Sequence, residues 1–434
     1  MTQPNASQQN TSQPNTGQTA PTVEFRPLRP GLIAGARQEL TVQLLIHPAP
    51  APQRRGERLP LNLALVIDRS GSMSGEPLEM AREAIVAALR QLQPQDRVSV
   101  VSFDDEVRVE VPSGPVLDLN AMIAQVMQIR SGGRTALYDG WMEGATQVAG
   151  HLNQEGLNRV ILLSDGQANH GLTDAREIAR HVRGLAERGV STTTLGFGRS
   201  YDETLLLGMA SAGDGNFEHI ETAGSLPTFF ESELQGLTRT SGRTVSLGLE
   251  PNPEYGAQVL ETLNDLTLNT LGRYQLGNLV EGQPVSVVVK LQLTAPAPGH
   301  APLGVTRVRL AWTGLDGVRR KVRAQLNLPV LSQAEYDALP DDPQVIEAAL
   351  LLSMARTQTL AVQAMDRGDR GMATSYFSDV VGMAQSMPSP SVEMTATLLE
   401  SQDLQRLYDG GDDLMARKRA VSQSHGRSQS KPRK

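Results

Sequence analysis

The stretch LNLALVIDRSGS, residues 61–72, indicates the fold of this 434-residue chain. It begins with a short apolar run, which is typical of a strand buried on both faces of a parallel sheet. The run ends at Asp68, and the hydroxyls of Ser70 and Ser72 follow at alternate positions. Oxygen groups at the end of a buried strand, just before a helix, lie where open α/β sheets bind ligands. Oxygens without Cys or His favour a hard cation such as Mg2+.

Strand and helix patterns alternate from Leu61 to about Thr240. The further strand patterns are at 98–103, 106–112, 158–166, 191–198 and 215–220, and the further helical patterns are at 78–92, 118–129, 174–189, 202–213 and 225–237. Such alternation predicts a mostly parallel sheet with helices on both faces. We therefore expect residues 61–240 to form one α/β domain.

The remaining chain shows two other patterns. From Thr244 to about Val330 there are only strand patterns, with an Asp-Gly turn signal at 316–317. The strand patterns before residue 61 are too short to fold alone. We therefore predict one antiparallel β-sandwich, split into 23–60 and 241–330, into which the α/β domain is inserted. Residues 335–410 read as a helical region.

Composition restricts the class of protein. There is no cysteine, which excludes disulfides and thiolate chemistry, and the net charge of −7 argues against a dedicated nucleic-acid binder. We find no signal peptide and no apolar stretch approaching about 20 residues, so we predict a cytoplasmic protein without a membrane span. Residues 1–22 and the basic segment 411–434 are predicted to be disordered.

Two later segments supply further oxygen ligands. Thr135 follows Gly132 and Gly133 in a loop, and Asp165 ends the apolar run of 158–166. Hydroxyl groups bind Mg2+ without cancelling its charge. If Asp68 and Asp165 act mainly through bridging waters, the cation would still attract another anionic oxygen. Magnesium prefers near-octahedral oxygen coordination and usually keeps several waters, which leaves room for such a ligand.

The combination of DRSGS, the threonine of GGRTALYDG and the aspartate of LLSDG resembles the metal-ion-dependent adhesion site of von Willebrand factor type A domains of the bacterial type. The resemblance covers about residues 61–240. It implies that Ser70, Ser72 and Thr135 bind the metal directly, and that Asp68 and Asp165 bind it directly or through water. It further implies a non-enzymatic, metal-dependent scaffold that captures an Asp or Glu carboxylate of a partner protein. Mg2+ is the expected cation, with Mn2+ or Ca2+ as alternatives.

Other interpretations remain open. Some bacterial proteins of this type resemble regulatory partners of an ATPase, kinase or phosphatase in stress-response or chelatase-like systems. A metal-dependent hydrolase would need a base beside Ser70 or Ser72, and His170 is the candidate in the adjacent loops. The same serines could simply cap the following helix. No P-loop, GxSxG or GxGxxG motif is present.

Three charged clusters outside the motif have simpler explanations. The Asp104-Asp105-Glu106 cluster could bind a second cation, but a solvated hairpin turn is favoured. The aspartates around Gly410-Gly411 lack the ligand series of a calcium loop and indicate a polar turn. The basic residues after position 413 could contact nucleic acid or anionic lipid, or could only solubilise the tail.

Overall fold

The computed structural model describes residues 20–51, 60–153, 156–165, 167–198, 201–297 and 301–428. Most of the segment predicted to be disordered at the N-terminus, residues 1–19, therefore lies outside the described residues. The chain divides into two compact units. The first comprises Met1–Pro50, Ser241–Gly314 and Val318–Arg433, and the second comprises Ala51–Thr240 and Leu315–Gly317.

Strands and helices alternate in the second unit and occur in separate blocks in the first. The first strands are β1 (Thr22–Pro27), β2 (Leu32–Ile33) and β3 (Arg37–His47). The second unit contains β4 (Leu61–Asp68), α1 (Glu76–Gln91), β5 (Arg97–Phe103), β6 (Val107–Pro115), α2 (Leu119–Met127), α3 (Leu137–Ala149), β7 (Leu157–Ser164), α4 (Ala175–Ala186), β8 (Val190–Phe197), α5 (Glu203–Ala212), β9 (Phe217–Ile220) and α6 (Leu226–Thr238). The later strands are β10 (Thr240–Pro251), β11 (Gln258–Thr262), β12 (Tyr274–Leu276), β13 (Leu279–Val280), β14 (Val285–Thr294), β15 (Leu303–Thr313), β16 (Arg319–Leu328) and β17 (Val330–Leu331). The last helices are α7 (Gln333–Asp337), α8 (Pro343–Asp366), α9 (Arg370–Gln385), α10 (Val392–Asp409) and α11 (Asp413–Ser428).

The second unit is built on a six-stranded sheet in the order β6-β5-β4-β7-β8-β9. Neighbouring strands pair in parallel except β6, which is antiparallel to β5. The predicted α/β fold with a mostly parallel sheet is therefore confirmed. All eight residues of the central strand β4 are buried, as its continuous apolar sequence predicts.

The two faces of β4 are covered in different ways. Leu63, Leu65 and Ile67 belong to a large core cluster that includes side chains of α1 and α6. On the other face, α3 approaches closely at Gly144. A Cβ at this glycine would lie only 2.3 Å from Cγ2 of Val66. The absence of a side chain at Gly144 thus sets the distance between α3 and the sheet.

In the first unit, strands from both sides of the α/β domain occupy the same sheet. Strand β3 pairs over ten residues with β14, in the order β1-β3-β14-β11. A second antiparallel sheet has the order β12-β10-β15-β16, with β13 beside β10. Side chains of the two sheets share one hydrophobic core, which includes Leu44, Val287, Leu247 and Leu310. Alternation along the strands places these residues on the inner faces.

The helical region contains one more long helix than expected. Helices α8, α9 and α10 match the three predicted segments. The prediction of disorder from residue 411 is wrong, because residues 413–428 form α11. Two of its basic residues have acidic partners on earlier helices: Arg417 pairs with Asp366 at 2.7 Å, and Arg427 pairs with Glu400 at 3.1 Å. Composition alone could not reveal these distant partners. Residues 429–434 lie outside the described part of the chain.

Helix α8 requires a second correction. It is long and apolar enough to cross a membrane by length and composition, so the expectation that no stretch approaches this length is wrong. Its packing explains the composition in another way. Met354 and Ala355 are buried within the first unit, and Arg356 donates to Glu261 at 2.8 Å. The core helix of a globular unit can have the same length and composition, so one such helix is weak evidence for a membrane span.

Candidate metal centre

Five oxygen-bearing residues predicted from the sequence lie in three loops of the α/β unit. Asp68 is the last residue of β4, with Ser70 and Ser72 directly after it; Thr135 precedes α3, and Asp165 follows β7. Strands β4 and β7 are adjacent and parallel, so these ends lie at one edge of the sheet. From β4 the chain continues to β5 on one side, and from β7 it continues to β8 on the other. This is a topological switch point, where open α/β sheets form ligand crevices.

A chain of hydrogen bonds connects four of the oxygen groups. Asp68 Oδ1 accepts from the backbone N–H of Ser70 at 2.8 Å. The hydroxyls of Ser70 and Ser72 lie 3.2 Å apart. The Ser72 hydroxyl donates to Asp165 Oδ1 at 2.9 Å. Ser72 and Asp165, which are 93 residues apart in the sequence, are thus in direct contact. The hydroxyls of Ser70 and Ser72 bond within this cluster, and Ser70 makes no side-chain cap bond to the following helical turn.

Burial shapes the electrostatics of the two carboxylates. Asp68 is completely buried and Asp165 is 6% exposed. Burial raises the pKa of Asp68 to about 6, although hydrogen bonds from Ser164 and Ser70 oppose the rise. Burial also raises the pKa of Asp165, opposed by the bond from Ser72. Within the described residues, no basic side chain bonds to either carboxylate, so their negative charge is not balanced by protein groups.

The donor set fits a hard divalent cation. It offers two carboxylates and three hydroxyls, which are oxygen ligands of the kind that Mg2+ prefers. Buried carboxylates without a positive partner are costly, and a bound cation would remove that cost. No cluster of three or more His, Asp or Glu side chains suited to a metal is found in the described part of the chain. The hydroxyls are therefore an essential part of the proposed ligand set.

Thr135 is held by a residue that sequence reasoning missed. Its backbone N–H donates to Oδ1 of Asn169 at 2.9 Å, and the Asn169 N–H donates back to the Thr135 carbonyl at 3.2 Å. Asn169 lies in the loop after β7, four residues beyond Asp165. The pair therefore connects the threonine loop to the aspartate loop. Nothing in the local sequence distinguishes this asparagine from an ordinary loop residue.

A buried ion pair, also missed, links the Asp68 loop to the β5–β6 turn. Arg69 donates to Oδ1 of Asp104 at 2.7 Å, and these residues are 6% and 4% exposed. Oδ2 of Asp104 accepts from the N–H of Gly133 at 3.2 Å. The predicted hairpin at 104–106 is present. The prediction that the turn is solvated is wrong for Asp104, because this residue is buried. Its carboxylate is used to join three loops, which composition could not show.

Glycines 132 and 133 allow these loops to approach. A Cβ at Gly132 would lie 2.1 Å from Oδ2 of Asp104, and a Cβ at Gly133 would lie 1.7 Å from Oδ1 of Asp105. Two backbone bonds complete the connection: Gly132 donates to the Arg69 carbonyl at 2.8 Å, and Gly71 donates to the Gly133 carbonyl at 3.0 Å. The loop carrying Thr135 is therefore fixed against the loop carrying the serines.

The other candidate residues do not join this site. His170 is exposed, and no hydrogen bond joins it to Ser70 or Ser72 within the described residues. The aspartates near Gly410 act as a polar turn: Asp412 accepts from the Met415 N–H at 3.3 Å, and Asp413 pairs with Arg370 at 3.2 Å. Among the described side chains, no histidine is hydrogen-bonded to either serine, and the Ser72 hydroxyl donates instead to Asp165.

Comparison with known proteins identifies the class of the second unit. Residues 62–232 match the family description "von Willebrand factor type A domain". Together with the mixed sheet and its two helical layers, this match shows that the chain contains a von Willebrand factor type A domain. The family resemblance inferred from DRSGS, Thr135 and Asp165 is confirmed at the level of the domain.

Bacterial relatives extend the similarity beyond this domain. The chain is 29% identical over 343 residues to the uncharacterized protein sll0103 of Synechocystis, covering 76% of this chain and 80% of that protein. It is 29% identical over 208 residues to the uncharacterized protein YfbK of Escherichia coli, covering 47% of this chain but 36% of that protein. The structure is also similar to "von Willebrand factor type A from Catenulispora acidiphila", with a TM-score of 0.69 and 17% identity over 92% of this chain and 91% of that chain. At this identity the structural likeness shows the fold alone.

Proposed function

We propose that this protein is a divalent-metal-dependent binding scaffold. In this proposal Asp68, Ser70, Ser72, Thr135 and Asp165 hold the cation, directly or through water. A carboxylate of a partner protein supplies a further ligand. The observation that supports the proposal is a hydrogen bond between two loops at the switch point of the sheet. Ser72, in the loop after Asp68, donates to Asp165. Because both carboxylates are buried without a basic side chain bonded to them in the described residues, a bound cation would stabilise their charge.

The residues of this chain have separable roles in such a site. When Asp68 and Asp165 act through bridging waters, the hydroxyl ligands leave most of the positive charge on the cation, so an added anionic oxygen from a partner is attracted strongly. Ser72 is exposed while Ser70, Thr135 and Asp165 are buried, so the site opens to solvent on the Ser72 side. A partner would approach from that side. We expect Mg2+ as the cation, with Mn2+ or Ca2+ as alternatives.

Calorimetric titration with Mg2+ tests the metal site. Wild type is expected to bind, and Asp68→Asn and Asp165→Asn are each expected to lose measurable binding. Asp174→Asn is a matched control, because this exposed aspartate caps α4 and asparagine caps helices equally well. Equal Mg2+ affinity in Asp165→Asn and wild type would refute the site. Folding of each variant is checked by circular dichroism.

Partner capture needs a separate test. Immobilised wild type is incubated with the soluble proteins of a bacterial lysate, with Mg2+ or with EDTA. A partner bound through a carboxylate is expected to be retained only with Mg2+, and to be absent from Asp68→Asn while retained on Asp174→Asn. Retention that is insensitive to both EDTA and Asp68→Asn would contradict carboxylate capture, even if the metal binds.

We further propose that the scaffold is not an enzyme. The support is that no histidine is hydrogen-bonded to either serine among the described side chains, and that Asp165, which accepts from Ser72, is assigned to the metal in this proposal. Assays with generic esters and phosphoesters in Mg2+ or Mn2+ should give rates equal to those of Asp68→Asn. A rate that depends on Asp68 and on the metal would overturn this proposal.

We also infer that the α/β domain is an insertion in a β-sandwich. The support is the pairing of β3 with β14, which lie on opposite sides of the domain in sequence, and the core shared by the two antiparallel sheets. Excision of residues 61–239 and closure with a short Gly-Ser linker tests this inference. A cooperative unfolding transition of the remaining chain is expected, and an unfolded product would contradict it.

A further inference from the structure

The outer face of the second antiparallel sheet is strongly basic. Strand β15 places Val308, Leu310 and Trp312 in the core, so Arg307 and Arg309 point to the opposite face. On the neighbouring strand β16, the outward positions are occupied by exposed cations. These are Arg319, Lys321 and Arg323. Two adjacent strands thus present five cations on one side of the sheet.

The strand register places these cations side by side. Arg309 lies directly opposite Arg323 on β16 and opposite Gly248 on β10. The side chain of Arg273, just before β12, lies over Gly248: its Cγ is 3.8 Å from the position of a Cβ there. A row of three guanidinium-bearing residues therefore runs from Arg273, just before β12, across β10 to β15 and β16. Glycine at the centre of the row leaves room for the Arg273 side chain.

Interactions within the protein do not balance this charge. Among the described residues at outward positions of these strands, one is acidic. It is Glu250, which lies opposite Arg307. Arg319 donates to the Ser246 hydroxyl at 2.9 Å and to the Thr244 carbonyl, which are neutral groups. Burial lowers the pKa of Arg319, and the positive charges of Arg273 and Arg309 lower it further. The cations therefore lie close enough to repel one another.

Sheet stability does not explain the arrangement. Like charges directly opposite each other on neighbouring strands are destabilising, as at Arg309 and Arg323. Cations on an edge strand such as β16 can prevent edge-to-edge aggregation. That reason does not apply to Arg307 and Arg309, because β15 lies inside the sheet, between β10 and β16. An anionic partner would offset the repulsion of all these residues.

The shape of the face and its surroundings indicate the partner. Its cations occupy separate register positions on β15, on β16 and just before β12, which suits an extended array of anions better than a single phosphate. No outward position on these four strands is aromatic in the described sequence, whereas sheets that bind single-stranded nucleic acid stack bases on aromatic rings. Next to Arg273, the turn carries Leu268 and Leu271, which are 58% and 71% exposed. Apolar side chains beside cations suit the interface of a lipid bilayer.

We propose that this basic sheet face, defined by Arg273, Arg307, Arg309, Arg319, Lys321 and Arg323, docks on an anionic lipid bilayer. The guanidinium and ammonium groups contact lipid phosphates, and Leu271 enters the interface. The turn that presents Leu271 is ordered by its own hydrogen bonds: Asn269 accepts from the Leu271 N–H at 2.9 Å and donates to the Arg273 carbonyl at 2.8 Å. The docking is peripheral and reversible, and it does not depend on the metal site.

Vesicle co-sedimentation of the full chain tests the proposal. Large vesicles of phosphatidylcholine with about one third phosphatidylglycerol are compared with pure phosphatidylcholine, in about 100 mM NaCl. EDTA is present throughout, so binding cannot arise from the metal site. Wild type is expected to bind the anionic vesicles and to be released by raising the salt. The double variant Lys321→Glu/Arg323→Glu is expected to bind at least about tenfold more weakly, because each cation near the surface contributes to binding.

Two further variants serve as controls. One distinguishes an effect of the basic sheet face from an effect of net charge, and the other distinguishes lipid binding from binding of other polyanions. Arg90→Glu/Arg188→Glu makes the same charge change at exposed positions of the α/β unit and is expected to bind like wild type. Leu271→Ser, which leaves the charge unchanged, is expected to weaken vesicle binding about threefold. Equal binding by the two double variants, or no binding of wild type to anionic vesicles, would overturn the proposal. Binding of nucleic acid by wild type that Leu271→Ser leaves unchanged, without vesicle binding, would assign the face to a different partner and would also overturn it.

Discussion

Arg69 and Asp104 form an ion pair of 2.7 Å between two loops of the α/β unit, and both side chains are almost completely buried. Arg69 stands between Asp68 and Ser70, so the pair fixes the backbone that carries these two candidate ligands. The same Asp104 carboxylate also accepts from Gly133, two residues before Thr135. One buried pair therefore sets the relative position of ligands from two separate loops.

Replacement of Arg69 by Met should lower both stability and metal affinity. Removing one partner of a buried pair leaves Asp104 uncompensated, which costs about 3–5 kcal/mol of unfolding free energy. Urea unfolding measures the stability, and Mg2+ calorimetry measures the site at a temperature where the variant is folded. Arg108→Met is the matched control, because its pair with Glu106 is exposed. A stability of Arg69→Met equal to that of the control would show that the pair does not hold the loops together.

The stability of the metal-free protein should depend on Asp68 in a defined direction. The pKa of Asp68 is about 6 in the folded state and 3.8 for the ordinary group. Below pH 3.8 the carboxyl is protonated in both states, so its favourable contribution is complete. As the pH rises through about 6, the unfolded state has already released the proton and the folded state must ionise a buried group. Folding stability is therefore lost over this range.

Denaturant unfolding in EDTA at pH 5 and pH 7.5 measures this loss. We expect wild type to lose stability relative to Asp68→Asn between these values, by about 1.4 kcal/mol for each pKa unit that is titrated. Addition of Mg2+ at pH 7.5 should restore wild type and leave Asp68→Asn unchanged. A difference between the two proteins that is constant with pH would contradict the buried, uncompensated carboxylate.

Two glycines in helices should respond to alanine in opposite ways. A Cβ at Gly144 of α3 would lie 2.3 Å from Val66 Cγ2, so Gly144→Ala must push the helix away from β4 and should cost about 1–3 kcal/mol. At Gly184 of α4 no atom lies within 4 Å of the added Cβ. Gly184→Ala should therefore stabilise the protein by about 0.5–1 kcal/mol through helix propensity. Thermal unfolding of both variants measures this contrast, and a stability of Gly144→Ala equal to or above that of wild type would contradict the close packing of α3 on β4.

Helix α11 should contribute to the stability of the first unit. Arg427 is 8% exposed and donates to the Gln358 side chain at 2.6 Å as well as to Glu400. Arg427→Met leaves the fully buried Gln358 oxygen without this donor and should cost about 2 kcal/mol. Arg406→Met is the control, since its pair with Asp403 is exposed. Similar unfolding curves for the two variants would support a tail that does not pack on α8.

The sequence determined the features that depend on neighbouring residues. The apolar run of 61–67 predicted a buried strand, and its end supplied Asp68, Ser70 and Ser72. The Gly-bearing loop and the second buried strand supplied Thr135 and Asp165 in the same way. Because parallel strands end at one edge of a sheet, two local patterns were enough to predict that Asp68 and Asp165 lie near each other, whereas the placement of Thr135 depends on contacts between loops.

The tertiary structure decided what depends on distant partners. The role of Asp104 became visible only when Arg69 and Gly133 were brought to its carboxylate. The tail was predicted to be disordered from its composition, yet Arg417 and Arg427 find acidic partners on α8 and α10 and order a helix. The basic sheet face likewise exists only because the strand register places Arg309 beside Arg323. Local sequence shows which groups are charged, but three-dimensional packing decides whether each charge is paired, buried or left facing solvent.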